Sequence, residues 1–282
     1  MKLGVTMFVT DRSIGPDVLA REVEARGLDS LYVPEHTHIP VGRRTPAPMG
    51  EPLPEEYHRT YDPFVALTAA AAATSRISVA TGICLVAQRD PIVTAKEVAS
   101  LDLFSGGRFV FGVGFGWNED ELEDHGVTMA DRRDVARENI LAMQALWADE
   151  PEGYDGKFVR FPPSWASPKP IQRPRPPILI GGGAGPKLFA HIAEYGDGWI
   201  PIGGAGVRES IPALHAAAAD AGRDPSSLRV VIFFAMPTPE KLEYYRGLGV
   251  SEVVSALPSA GPDTVLPLLD RYAELVDAAH QS

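Results

Sequence analysis

A chain of 282 residues with 45% hydrophobic content is long enough for one large α/β domain or two ordinary ones, which excludes a disordered chain. Its formal charge of −11 leaves no basic excess to release counterions, so neither nucleic acid nor an anionic membrane surface is expected as the main partner. The single cysteine, Cys84, excludes an intrachain disulfide and a multi-cysteine metal site; with no cleavage-like leader and no apolar run near the ~18 residues of a membrane span, a soluble, cytoplasmic protein is predicted.

In chain order one unit repeats: a short β-branched or aromatic run, a turn, then a helical stretch of alanines and charges. Residues 3–9, 30–34, 77–85, 109–116, 177–181, 198–202, 228–235 and 252–257 are predicted strands. Many of the helices after them open alike, at Gly15-Pro16, Asp62-Pro63, Asp90-Pro91, Gly185-Pro186, Thr238-Pro239 and Gly261-Pro262. Proline suits the first helical position because its missing N–H would be unpaired there, and Asp or Thr before it caps. Strand-helix alternation favours a parallel sheet, and eight units suit a closed α/β barrel, the (β/α)8 TIM barrel, as a single domain over residues 1–282. An open doubly wound sheet is the other reading.

Three places break the repeat. Residues 37–61, after the second strand, form a long proline-rich loop carrying His38, Arg43, Arg44, His58 and Arg59, which reads as a lid over the strand ends. Residues 151–176, before the fifth strand, read as a small hairpin insertion that packs rather than catalyses. Gly203-Gly204-Ala205-Gly206, after the sixth, is a flexible turn within reach of a ligand.

Side chains alternate across a strand, so Gly112, Gly114 and Gly116 leave one face of the fourth strand bare. Either a flat ligand lies against that backbone or another strand packs closely there. Barrel active sites lie at the carboxyl ends of the strands, and the second strand ends in Glu35 and His36. A histidine gives or takes a proton near pH 7 and a carboxylate tunes it, so His36 is the candidate acid–base group and Glu35 its companion. A structural histidine and a structural salt bridge are the alternatives. Gly82 marks a bulge or a close ligand approach in the third strand, and Cys84 reads as core. Asn118 is a plausible cap for the acidic turn Glu119-Asp120-Glu121, whose acids complement the helix dipole. The fifth strand runs into Gly181-Gly182-Gly183-Ala184-Gly185 and a helix start, where unpaired N–H groups suit a phosphate; a structural turn is the alternative. No carboxylate and histidine ligands cluster at other strand ends, so no metal is predicted.

These motifs resemble the luciferase-like monooxygenase superfamily. The likeness is carried by Pro34-Glu35-His36, by Thr81-Gly82-Ile83, by the run from Leu101 to Trp117, and by Pro177 to Gly183 with Asp197-Gly198-Trp199. It covers nearly the whole chain and looks closest to the deazaflavin-dependent branch, whose cofactor is coenzyme F420. The resemblance implies a modified TIM barrel, usually a homodimer, with a flavin or deazaflavin at the strand ends. By position, Gly82-Ile83 would hold a non-prolyl cis peptide behind the cofactor ring, and His36 would sit near ring and substrate. Gly181, Gly182 and Gly183 would offer amides to the phosphate, and Asn118 would approach the ring or ribityl chain.

The implied reaction is hydride transfer to or from a small organic substrate, with His36 as proton donor or relay and Glu35 holding its environment. Sugar-phosphate dehydrogenases of the superfamily carry an acid where this chain has Trp117, so a sugar phosphate is not expected. Trp117 either walls an apolar pocket or packs against the insertion. Arg43, Arg44, Arg59 and Arg89 are the loop cations within reach of a charged substrate. An FMN-dependent two-component monooxygenase of the same fold is the alternative, and a non-catalytic cofactor-binding protein a third reading.

Overall fold

The structure, a computed structural model, describes residues 1–48 and 50–281; Met49, in the long loop, and Ser282 lie outside the described residues. The strands are β1 (Lys2–Thr6), β2 (Ser30–Val33), β3 (Ser78–Thr81), β4 (Cys84–Leu85), β5 (Phe109–Gly114), β6 (Glu152–Asp155), β7 (Arg160–Ser164), β8 (Ile178–Gly181), β9 (Gly198–Ile200), β10 (Arg229–Phe233) and β11 (Glu252–Ala256). β3 and β4 are the halves of one expected strand, interrupted at Gly82 and Ile83, whose peptide bond is cis. Pairing runs β3-β2-β1-β11-β10-β9-β8-β5-β4, and β3 also pairs with β5, which closes the ring. The ring pairings are parallel, as in Lys2↔Glu252, Gly4↔Ser30, Val79↔Phe109 and Phe111↔Ile178. The result is the closed (β/α)8 barrel.

Local chemistry accounts for the helix starts. Asp62 accepts from the Val65 N–H, Asp90 from Ile92 and Val93, and Thr238 from Lys241, each just before a proline at the first helical position. Along β5, Phe109 and Phe111 face outward, with Phe64 of the helix Pro63–Ala72 at 6.2 and 6.3 Å from their rings. Val110, between them, faces the barrel axis with Tyr32, Leu179, Ile200, Phe233 and Val254. Burying a side chain of this kind contributes about 1.5–3 kcal/mol, so the axis is packed core and ligand space lies above it.

The bare glycine face is filled by the protein itself. A Cβ on Gly112 would overlap the Thr81 carbonyl, one on Gly114 would overlap Cδ1 of Ile83, and one on Gly116 would meet Leu122 at 3.1 Å. A Cβ on Gly181 would press on Ile83 as well, at 3.2 Å. The close-packing reading therefore replaces that of a ligand on bare backbone: Gly114 and Gly181 form a seat for Ile83. Cys84 is fully buried.

The insertion is an antiparallel hairpin of β6 and β7. Its turn is tied to the helix Arg132–Trp147 by Glu138, whose carboxylate accepts the N–H groups of Lys157, Phe158 and Val159 at 3.0, 2.7 and 3.1 Å. No described helix is long and apolar enough to cross a membrane.

Candidate active site

His36 follows β2 at the carboxyl end of the barrel and is 8% exposed. Its Nδ1 lies 2.7 Å from Oε2 of Glu121, a wholly buried residue of the helix Glu119–Asp124. The other oxygen of Glu121 accepts the Thr37 N–H at 3.3 Å. The indole Nε1–H of Trp117 donates to His36 Nε2 at 3.3 Å. A carboxylate only accepts and an indole N–H only donates, so these partners assign one neutral tautomer: the proton on Nδ1, the lone pair on Nε2.

An aromatic wall stands beside this chain of contacts. Tyr57, from the long loop, lies 5.3 Å from His36, 6.2 Å from Trp117 and 4.7 Å from Phe8, ring centre to ring centre. Burial, with the neighbouring Glu56, raises its phenol above the ordinary 10.0. The loop is pinned to the helix that carries Glu121. Arg44 Nε meets Asp120 at 2.7 Å and its Nη2 meets Glu123 at 2.6 Å, while the Glu119 N–H donates to Thr45 Oγ1 at 3.0 Å.

Glu35 is not the partner of His36. It is 3% exposed and accepts the Leu85 N–H at 2.7 Å and Arg89 Nε at 2.6 Å. Arg89 also pairs with Asp62 and, at 3.1 Å, with Glu97. Burial is the largest influence and works against the charge on Arg89, but Glu35, Cys84 and Asp62 together outweigh it and hold the guanidinium ionised above its ordinary range. Adjacent residues of an extended segment point to opposite sides, which sends Glu35 to the third strand and His36 to the mouth.

Asn118 is fully buried, and neither its amide nitrogen nor its oxygen has a hydrogen-bond partner among the described residues. The expected side-chain cap is absent; only its carbonyl serves the helix, accepting from the Leu122 N–H at 3.1 Å. A buried amide of this kind fits a ligand edge that offers both a donor and an acceptor, as the ring of a flavin or deazaflavin does. In the glycine loop, the Gly182 N–H is engaged by the Ile200 carbonyl at 3.3 Å, and its carbonyl accepts Trp199 Nε1–H at 2.8 Å. Gly183 and Gly185 are different: a Cβ on either would meet nothing within 4 Å, so the space beside the start of the helix Pro186–Tyr195 is open. An anion cradle would therefore begin at Gly183, with Gly181 and Gly182 engaged inside the barrel. Gly204 packs against Tyr245, where a Cβ would overlap the phenol oxygen. No group of three or more His, Cys, Asp or Glu side chains among the described residues is placed to hold a metal ion.

Glu121 and Tyr57 were not among the expected site residues. Glu121 read as an acid for the helix dipole; its spacing of four from Trp117 was the available signal. Tyr57 carried none, since a long loop does not announce which of its residues turns inward.

The model of the luciferase-like monooxygenase family matches residues 18–242. The chain belongs to that family. Among the relatives of this luciferase-like protein, the uncharacterized protein Rv0953c of Mycobacterium tuberculosis is 45% identical over 97% of this chain and 98% of its own. The phthiodiolone/phenolphthiodiolone dimycocerosates ketoreductase of Mycobacterium kansasii is 30% identical over 72% of this chain and 57% of its own length. Solved structures share the fold of this luciferase-like protein. An F420-dependent secondary alcohol dehydrogenase in complex with an F420-acetone adduct superposes with a TM-score of 0.79 and 19% identity, covering both chains fully. The monooxygenase RslO1 of Streptomyces bottropensis gives 0.78 and 22%, over 97% of this chain and 98% of its own. The FMN-bound oxygenating constituent of 3,6-diketocamphane monooxygenase of Pseudomonas putida gives 0.64 and 20%, over 87% of this chain and 70% of its own.

Proposed function

We propose that this luciferase-like protein is a coenzyme F420-dependent oxidoreductase acting on a small organic alcohol or carbonyl compound, with His36 as the proton relay. The observation that carries the reading is the ordered chain from Glu121 through His36 to Trp117 at the barrel mouth. The F420-dependent alcohol dehydrogenase among the fold neighbours and the ketoreductase among the relatives support the same chemistry.

A bound deazaflavin supplies a two-electron hydride donor and acceptor. The amide of Asn118 would meet its ring edge, Gly82 and Ile83 would support the ring from below, and the amides from Gly183 onward would hold its phosphate. Nε2 of His36 is the atom that takes a proton from a substrate hydroxyl or returns one to a carbonyl oxygen. Substrate displaces the Trp117 N–H from that nitrogen. Glu121, accepting the Nδ1–H, keeps the ring oriented and stabilises the imidazolium when it forms. Glu35 holds Arg89 and the third strand rather than the substrate.

Titration with F420 and with FMN, followed by cofactor fluorescence, tests the proposal. Tight F420 binding with turnover of a secondary alcohol or a ketone supports it. Tight FMN binding with oxygen consumption would move the protein to the monooxygenase reading favoured by the FMN-bound neighbour.

A further inference from the structure

We propose that Ile202, Phe234 and Met236 form the seat of an uncharged substrate with an apolar body, and that Phe234 determines its specificity. The inference rests on the reading of the mouth as an oxidoreductase site and names the class of molecule that site takes.

The three side chains are large, apolar and open to solvent, at 69%, 47% and 61% exposure. They stand at the ends of neighbouring strands, on the rim that also carries His36 and Asn118. Ile202 bridges to Phe233, and the Gly203 N–H donates to the Phe233 carbonyl at 2.7 Å, which fixes the two strand ends side by side. Singly exposed apolar residues are ordinary, but three on adjoining strand ends, across the barrel mouth from the strand that His36 follows, are where a ligand reaching from the imidazole would bury surface.

Phe234 adds an independent observation. Its φ of +55° is the only positive value outside glycine among the described residues. A side chain with a Cβ is strained in the left-handed region, and glycine would adopt it freely. Phe233, one residue earlier, gains from its position, being 2% exposed with its ring edge-on to Tyr32 at 4.9 Å. Phe234 stays half-exposed, so its strained backbone is offset by far less burial than at Phe233 and is retained for a ring open to solvent.

Charge points the same way. Arg43 pairs with Glu51, Arg44 with Asp120 and Glu123, Arg59 with Asp11 and Glu55, and Arg89 with Glu35, Asp62 and Glu97. None of these four guanidinium groups is left over for a substrate phosphate or carboxylate. Of the cations that follow these two strands, Lys241 donates to the Met236 carbonyl at 3.3 Å and Arg208 stacks on the Tyr244 ring at 4.8 Å. What the mouth offers is one proton-transfer nitrogen and an apolar wall, which fits an alcohol or ketone carrying an alkyl or aryl body.

The test compares wild type with Phe234→Gly and Phe234→Leu, reading thermal stability, cofactor affinity and kcat/KM for F420-linked reduction of methyl ketones from butanone to nonanone. Wild type is expected to gain about fourfold in kcat/KM per added methylene. Phe234→Gly should flatten that series while its Tm stays level or rises; Phe234→Leu should keep most of the slope. A lower Tm with an unchanged slope would make Phe234 a structural residue and overturn the proposal. So would a wild-type preference for ketones ending in a carboxylate, or a Phe234→Gly defect confined to cofactor affinity. Saturation-transfer NMR of octanone on the cofactor-free protein separates this proposal from the cofactor reading. Signal in wild type that is lost in Phe234→Gly supports the seat even if neither F420 nor FMN binds, and no signal in wild type overturns it.

Discussion

Nδ1 of His36 and Oε2 of Glu121 meet at 2.7 Å although 85 positions separate them in the chain. The contact makes the imidazole directional: one nitrogen is committed to a buried carboxylate, and the other faces the Trp117 N–H and is the atom to which the proposed mechanism gives the proton transfer. Replacing His36 by Ala should leave cofactor binding nearly intact and lower turnover by about 10²–10⁴-fold, the usual contribution of a positioned acid–base group. Unchanged turnover would remove His36 from the mechanism.

Glu121→Gln should lower kcat by about tenfold to a hundredfold with little change in KM, because the ring loses the group that orients it and stabilises its charged form. The low-field proton resonance of the Nδ1–H should vanish with it. A variant that keeps both resonance and rate would reduce Glu121 to a packing residue.

Glu35→Gln separates a structural acid from a catalytic one. Weakening the buried contacts to Leu85 and Arg89 should destabilise the protein by about 1–3 kcal/mol in denaturant unfolding. The kcat of the folded fraction should be unaltered; a large fall in kcat at full occupancy of the folded state would return Glu35 to the reaction.

The glycines of β5 should respond unequally to alanine. At Gly112 the obstacle is the Thr81 backbone, which cannot step aside, and overpacking there should cost about 1–3 kcal/mol or more. At Gly114 the obstacle is the tip of Ile83. That side chain can swing away, so Gly114→Ala should lose less stability and more cofactor affinity. Equal losses of stability, with affinity unchanged, would count against Ile83 as the cofactor's support.

Acid should loosen the insertion before the barrel. Burial raises the pKa of Glu138, but the N–H groups of Phe158, Lys157 and Val159 outweigh it and hold the carboxyl below its ordinary 4.5. A carboxyl whose folded pKa is depressed contributes fully above its unfolded pKa and loses that contribution as pH falls through the folded value. Hydrogen exchange at the Phe158 and Val159 amides should accelerate, relative to barrel amides, between about pH 5 and pH 3. Uniform protection across that window would show that the carboxylate does not hold the turn.

The barrel was legible because its signals are local. β-branched runs and the proline after a capping residue act within a few positions, and the helices begin at those prolines. The linear pattern overshoots six of the eight strands' carboxyl ends by one to three residues, since pairing at the rim depends on neighbours it does not name. The glycine face was legible as a vacancy, yet its occupant was not, because Ile83 reaches it from a different strand. The carboxylate nearest His36 in the chain is the one that extended backbone turns away, so the true partner had to come from a distant helix. Asn118 was picked out by position, while the unpartnered state of its amide is visible only in three dimensions.

The helix bearing Glu121 also grips the long loop through Arg44 and Thr45. Lifting that loop would therefore tug on the same short segment whose Glu121 holds Nδ1 of His36. Under the proposed mechanism, admission and readiness to react would be mechanically joined, and a protein caught with its gate ajar would also have its proton carrier out of alignment.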